Sequence, residues 1–136
     1  MDLVPPSTPE RFPCPCCGHL VFSMAPGSHQ VCPVCAWEDD LAQLRFPRMP
    51  GSANGISLED GQINYSSHGA AERRNRGTTR PPLEQEPREA AWRPLDARRD
   101  NIEEPRRGVR YGDSYPLADT TVLYYWRDTY WRRLSS

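Results

Sequence analysis

The chain has 136 residues, 37% of them hydrophobic, with 15 prolines and a mean hydropathy of −0.79. That is one domain, or at most two small lobes, and a core too thin to be secure without a metal or a disulfide. The net charge of −1 conceals an asymmetry: three arginines face seven acids in residues 1–60, 14 arginines face 11 acids in residues 61–136, and lysine is absent.

No apolar run approaches the length of a membrane span. The start, MDLVPPSTPERF, lacks the charged head and apolar stretch of a signal peptide. A soluble, cytoplasmic protein is therefore expected. Its thiols stay reduced there, and five cysteines is an odd number, so metal ligation is expected rather than a disulfide framework.

Taken in order, residues 1–11 read as a flexible leader rich in Pro, Ser and Thr. The cysteines follow in two clusters, CPCCG at 14–18 and CPVCA at 32–36. Superposing the clusters sets Cys14 on Cys32, Pro15 on Pro33 and Cys17 on Cys35, and leaves Cys16 opposite Val34. The spacing predicts one four-thiolate site from Cys14, Cys17, Cys32 and Cys35. Two such turns bring four sulfurs around one structural Zn²⁺ with no position open to water; iron fits the same set. His19 and His29 are alternative ligands outside the repeated register. Cys16 has two readings, a small thiol packed beside the site or a reactive thiol.

Between the clusters, HLVFSM reads as a strand, APGS as a turn and HQV as a returning strand, which predicts a hairpin with a cysteine pair at each foot. WEDD (Trp37, Glu38, Asp39, Asp40) follows the second cluster. It reads either as an acidic partner-binding patch anchored by Trp37, or as a packed Trp followed by acids that cap a helix or pair with arginines. RFPRMPGSANG is a loop. Ser57 is a helix N-cap, Glu59 and Asp60 suit the helix start, Leu58, Gln62 and Tyr65 share a face, and Gly69 closes the helix.

Residues 71–110, rich in Arg, Glu and Pro, are expected to wrap the domain or to be partly disordered, with a short helix around REAAW stopped near Pro94. Residues 111–136 are expected to pack an aromatic element on the domain. TTVLYY favours a strand through Tyr125, while Leu123, Trp126, Tyr130 and Leu134 at spacings of three and four fit a helix capped by Asp119. His68 reads as a surface side chain.

PCPCCG, then CPVCAWEDD, then GSANGISL, resembles the cysteine-rich CPCC family of small bacterial proteins over about residues 12–70. The resemblance implies zinc-ribbon ligands at Cys14, Cys17, Cys32 and Cys35, and little about activity. Two departures stand out: Ser52, where a second glycine is expected, and Gly61 inside the predicted helix, which costs it about 1 kcal/mol relative to Ala.

The expected fold is a small α+β unit, a zinc-ribbon-like β-hairpin with one or two helices, spanning residues 12–70, with an extended Arg/Pro-rich C-terminal segment. The sequence holds no phosphate loop, no nucleophile–base pair with a supporting residue and no open metal site, so no enzymatic activity is expected. The expected role is a protein-binding module, in its most specific form an immunity-type protein neutralising a basic toxin encoded nearby. The alternative is a nucleic-acid-binding ribbon that uses RRNRGTTR (73–80) and WRDTYWRR (126–133). A thiol-redox enzyme using Cys16 comes third.

Overall fold

A computed structural model describes residues 10–133; most of the expected leader, and Leu134 of the expected C-terminal face, lie outside them. Two short strands, β1 (Phe12–Pro13) and β2 (Leu20–Phe22), pair antiparallel. Two helices follow, α1 (Leu41–Arg45) and α2 (Leu58–His68). The remainder is turns and short 3-10 segments, so the protein is a small α+β unit built around its cysteines. Among the described residues no helix is long and apolar enough to cross a membrane.

The antiparallel hairpin is present, but its partners differ from those expected. Leu20–Phe22 pairs with Phe12–Pro13 and so closes over the first cysteine cluster. The returning HQV segment pairs instead around the second cluster, through a Val31–Glu38 bridge. Each cysteine turn thus carries its own small ladder. The arms between them are joined by side chains, with Gln30 bonding to the Ser23 amide and hydroxyl.

Helix α1 starts at Asp40, whose carboxylate accepts from the Ala42 amide. Helix α2 has the expected boundaries: Ser57 Oγ accepts from the Asp60 amide, and Gly69 ends the helix with φ +79°. Such a conformation suits glycine, which has no Cβ to clash. Gly61 has a positive use that offsets its low helix propensity. A Cβ there would lie 3.1 Å from Ile56, 3.2 Å from Cys16 Sγ and 3.3 Å from Trp37. The glycine lets the helix sit directly on both cysteine turns.

Residues 71–110 lie along the cysteine turns. Ala71 N–H donates to Cys35 O, Arg80 N–H to Pro33 O, and Glu89 N–H to Gly18 O, while Pro87 O accepts from Leu20 N–H. The expected helix at REAAW is a single turn, with Trp92 N–H bonded to Glu89 O. The strand favoured for TTVLYY is replaced by a 3-10 turn, Thr120–Leu123, capped by Asp119. Burying Leu123, Tyr124, Tyr125 and Trp126 in succession requires a coiled path rather than an alternating strand.

Four buried polar side chains fasten these loops. Gln43 donates to the carbonyls of Met49, Asn54 and Ile56 and accepts from the Asn54 amide and side chain. Asn54 in turn brackets Glu38, accepting from its amide and donating to its carbonyl. Gln62 donates to Pro15 O and Tyr125 Oη and accepts from Leu95 N–H, joining the first cysteine turn to both later segments. Arg45, only 4% exposed, forks onto Glu103 at 2.9 and 3.2 Å. The Phe46, Tyr111, Tyr115 and Trp131 rings surround its guanidinium at 4.6–5.1 Å.

Candidate metal centre

Each cysteine pair sits in a turn of one design. In the first, Cys14 N–H bonds to His19 O and Gly18 N–H to Cys14 O; in the second, Cys32 N–H bonds to Trp37 O and Ala36 N–H to Cys32 O. The residue after each second cysteine is left-handed, Gly18 at φ +82° and Ala36 at φ +67°. These turns aim Cys14, Cys17, Cys32 and Cys35 inward, where all four sulfurs lie within 4.8 Å of one another.

A tetrahedral four-sulfur centre with bonds near 2.3 Å has edges of about 3.8 Å. Two sulfur–sulfur edges across the turns match this: Cys14–Cys35 at 3.6 Å and Cys17–Cys32 at 3.8 Å. All four side chains are fully buried. The four cysteines are placed to hold a metal ion, and the donor set is one of soft thiolates alone.

The local electrostatics agree with that use. Burial pushes the Cys14 and Cys35 thiols up. Cys32 moves down because the sulfurs of Cys14, Cys17 and Cys35 donate to it. For several buried sulfurs this close to ionise together, a cation must offset their burial and mutual repulsion.

Cys16 stands outside the tetrad. It is buried between Gly61 and the site, and burial raises its pKa. A protonated, inaccessible thiol is a poor nucleophile, which favours the packing reading. Neither histidine joins the tetrad: His19 Nδ1 bonds to Glu86 O, and His29 Nδ1 meets a Glu38 carboxylate oxygen at 3.2 Å.

Burial within WEDD fits the second of its two readings, a packed Trp followed by acids, one of which caps a helix, rather than an exposed partner-binding patch. Trp37 is buried, 1% exposed, against α2. Asp39 is buried and accepts from the Ser28 amide and hydroxyl; Asp40 is buried, caps α1 and holds the Ala53 amide. Only Glu38 keeps a partly exposed carboxylate. The sequence places these acids beside backbone donors that become visible only once the loop is folded.

Of the arginines in these clusters, Arg80 and Arg127 are committed to Glu86 and Glu89, while Arg74 and Arg133 make exposed pairs with Glu72 and Asp128. The sequence did not point to Gln43, Asn54 or Arg45, and it placed Gln62 on a helix face without its partners, which lie in loops and later segments.

Comparison with known proteins agrees with the cysteine geometry. The profile of the family described as Cysteine-rich CPCC matches residues 12–86. The chain belongs to the cysteine-rich CPCC family. Among curated proteins, none matches it significantly. The family match runs beyond α2, through Arg80 and Glu86, and ends where the wrapping segment has returned to the first cysteine turn.

Proposed function

We propose that this CPCC protein is a small non-enzymatic zinc protein, with one structural ion, that acts by binding another protein. The observation that carries the proposal is the closure of the four-cysteine site. The sulfurs are buried beneath α2 and the wrapping segment, so a bound ion meets its four ligands and no substrate position. Zinc is the ion that such a tetrathiolate set ordinarily takes in a reducing cell.

Support for a protein partner comes from the surface over the second cysteine turn. Val31 is 58% exposed there, beside Glu38 and around a shallow cleft that Asn54, Asn75 and Thr78 also line, with Glu72 held by Arg74. An apolar side chain beside the partly exposed Glu38 carboxylate suits a basic protein, and a toxin encoded beside this gene is the specific form of the proposal. With Trp37, Asp39 and Asp40 committed inside the fold, Val31 and Glu38 are its testable contacts.

Metal analysis is expected to give one zinc per chain. Co-purification with the products of neighbouring genes is expected to give a stable complex, weakened by Val31→Asp and Glu38→Arg with zinc content unchanged. Absence of metal overturns the structural-ion assignment. Absence of any complex, with salt-sensitive binding to RNA or DNA in its place, overturns the protein-partner assignment.

A further inference from the structure

The cleft beneath the C-terminal aromatic segment lies apart from the metal centre and from the Val31 surface. It encloses about 320 Å³, near the lower end of small-molecule pockets. Four arginines line it, Arg93, Arg99, Arg127 and Arg133, against two carboxylates, Asp100 and Asp128, over a floor of Tyr125, Trp126 and Tyr130.

Two of the arginines are held rigidly. Arg93 forks onto Asp100 at 2.9 and 2.6 Å. Arg127 forks onto Glu89 at 2.8 Å through Nε and Nη2, with its guanidinium 4.6 Å from the Tyr124 ring centre. That arrangement leaves Arg127 Nη1 with no hydrogen-bond partner among the described residues. The other two arginines are exposed and loosely held. Arg99 has no side-chain hydrogen bond among the described residues, and Arg133 meets only Asp128, itself 95% exposed. An ion pair open to water to that degree is weak and readily exchanged.

The floor limits what else can bind. Tyr125 Oη donates to Arg93 O, Tyr130 Oη to Asn101 O and Trp126 Nε1 to Glu89. The aromatic polar groups are therefore satisfied internally, and the donors left for a ligand are guanidinium N–H groups. Guanidinium donors lining one small cleft match the oxygens of a phosphate better than those of any neutral ligand.

We infer that this cleft binds the phosphate of a small phosphomonoester, with Arg127 as the fixed donor and Arg99 and Arg133 closing over the anion. The site is independent of the protein-partner proposal, and the two can fail separately.

The test is calorimetric titration of the zinc-loaded full chain with phenyl phosphate at low ionic strength. One equivalent is expected to bind. Arg99→Gln and Arg133→Gln are each expected to weaken binding about tenfold, the loss of a hydrogen bond to a charged group. Arg73→Gln, on an exposed arginine outside the cleft, is expected to leave it unchanged. Unchanged zinc content and melting temperature check that the variants are folded. Three outcomes overturn the proposal: no heat with phenyl phosphate, equal weakening by Arg73→Gln, or binding of a single-stranded oligonucleotide with none of phenyl phosphate.

Discussion

In the first cysteine turn the left-handed position is Gly18; in the second it is Ala36, with the same hydrogen bonds on either side. The backbone design is shared, and the surroundings are not. Trp92 lies flat on Gly18, so that an added Cβ would fall 2.5 Å from its ring, and Trp92 Nε1 bonds to Pro15 O. Ala36 borders an open cleft. The contrast stops there: Cys16 and Val34, in the middle of each turn, are both buried, and the later chain bonds to both turns. What differs is the left-handed corner, covered by Trp92 in the first turn and bordering a cleft in the second.

The largest effects test what the turns share. Cys14→Ser and Cys35→Ser, one from each turn, are expected to abolish stoichiometric metal binding and unfold the protein. A structural zinc site contributes on the order of 10 kcal/mol of apparent binding energy, more than a domain this small can lose. Cys16→Ala is expected to keep one metal per chain and to cost only about 1 kcal/mol for the small cavity. Metal analysis and thermal melting read both. Metal loss in Cys16→Ala would place that thiol among the ligands and break the correspondence of the two turns.

Gly18→Ala separates the turns. It combines an unfavourable left-handed Cβ with a clash against Trp92, and it is expected to destabilise by about 3 kcal/mol. Trp92→Ala in the same chain is expected to recover part of this loss, since only the clash depends on the ring. A full double-mutant cycle by denaturant unfolding measures the recovery. Simple additivity would show that the covering tryptophan does not press on the turn in solution.

The shared design was legible because it repeats. CPCCG against CPVCA assigns the ligands and isolates Cys16 with no structural information, and Ser57 and Gly69 mark the ends of α2 by chemistry local to the chain. What lay beyond reach depends on distant partners. Nothing beside Gln43 or Gln62 announces the carbonyls they hold, because those come from loops that only folding brings to them. Asp39 and Asp40 resemble surface acids until Ser28 and Ala53 arrive as donors. TTVLYY has strand propensity, but consecutive burial of Leu123 to Trp126 overrides it. The expected hairpin erred in pairing partner because strand propensity says where a strand is, not which neighbour it meets.

Acid is expected to act on the two turns differently. The cover of the first turn is held by Glu86 and Glu89. The Arg80 fork holds the Glu86 carboxyl below its ordinary value. At Glu89 burial opposes the charge, and the bonds from Arg127 and Trp126 outweigh it, leaving its pKa lowered too. A carboxylate lowered in the folded state stabilises it at neutral pH, and that contribution is lost as pH falls through the lowered value. Asp39, beside the second turn, is shifted the other way, because burial outweighs its bonds to Ser28 and Gly27. Its protonation on acidification therefore relieves a cost. Hydrogen exchange from about pH 6 to about pH 4, corrected for intrinsic rates, is expected to lose protection roughly tenfold more at the Leu20 and Glu89 amides than at His29 and Asp39. Parallel loss at all four would mean that metal release, not the ion pairs, governs the response.

The smallest effect reverses the sign. Ala36 adopts a left-handed backbone at a cost of about 1 kcal/mol. Its cleft holds no covering ring like the one over Gly18. Ala36→Gly removes that cost, while the greater freedom of glycine in the unfolded chain takes back part of the gain. The expected result is stabilisation by about 0.5 kcal/mol with metal content unchanged, read as a small rise in the denaturant midpoint at constant slope. Substitution at equivalent positions would then raise stability in one turn and lower it in the other. Because the two substitutions are inverses at left-handed positions, their opposite signs follow from the shared backbone. The surroundings are measured by the gap between about 3 and about 0.5 kcal/mol. A clear destabilisation by Ala36→Gly would mean that the alanine methyl makes a contact the open cleft does not supply.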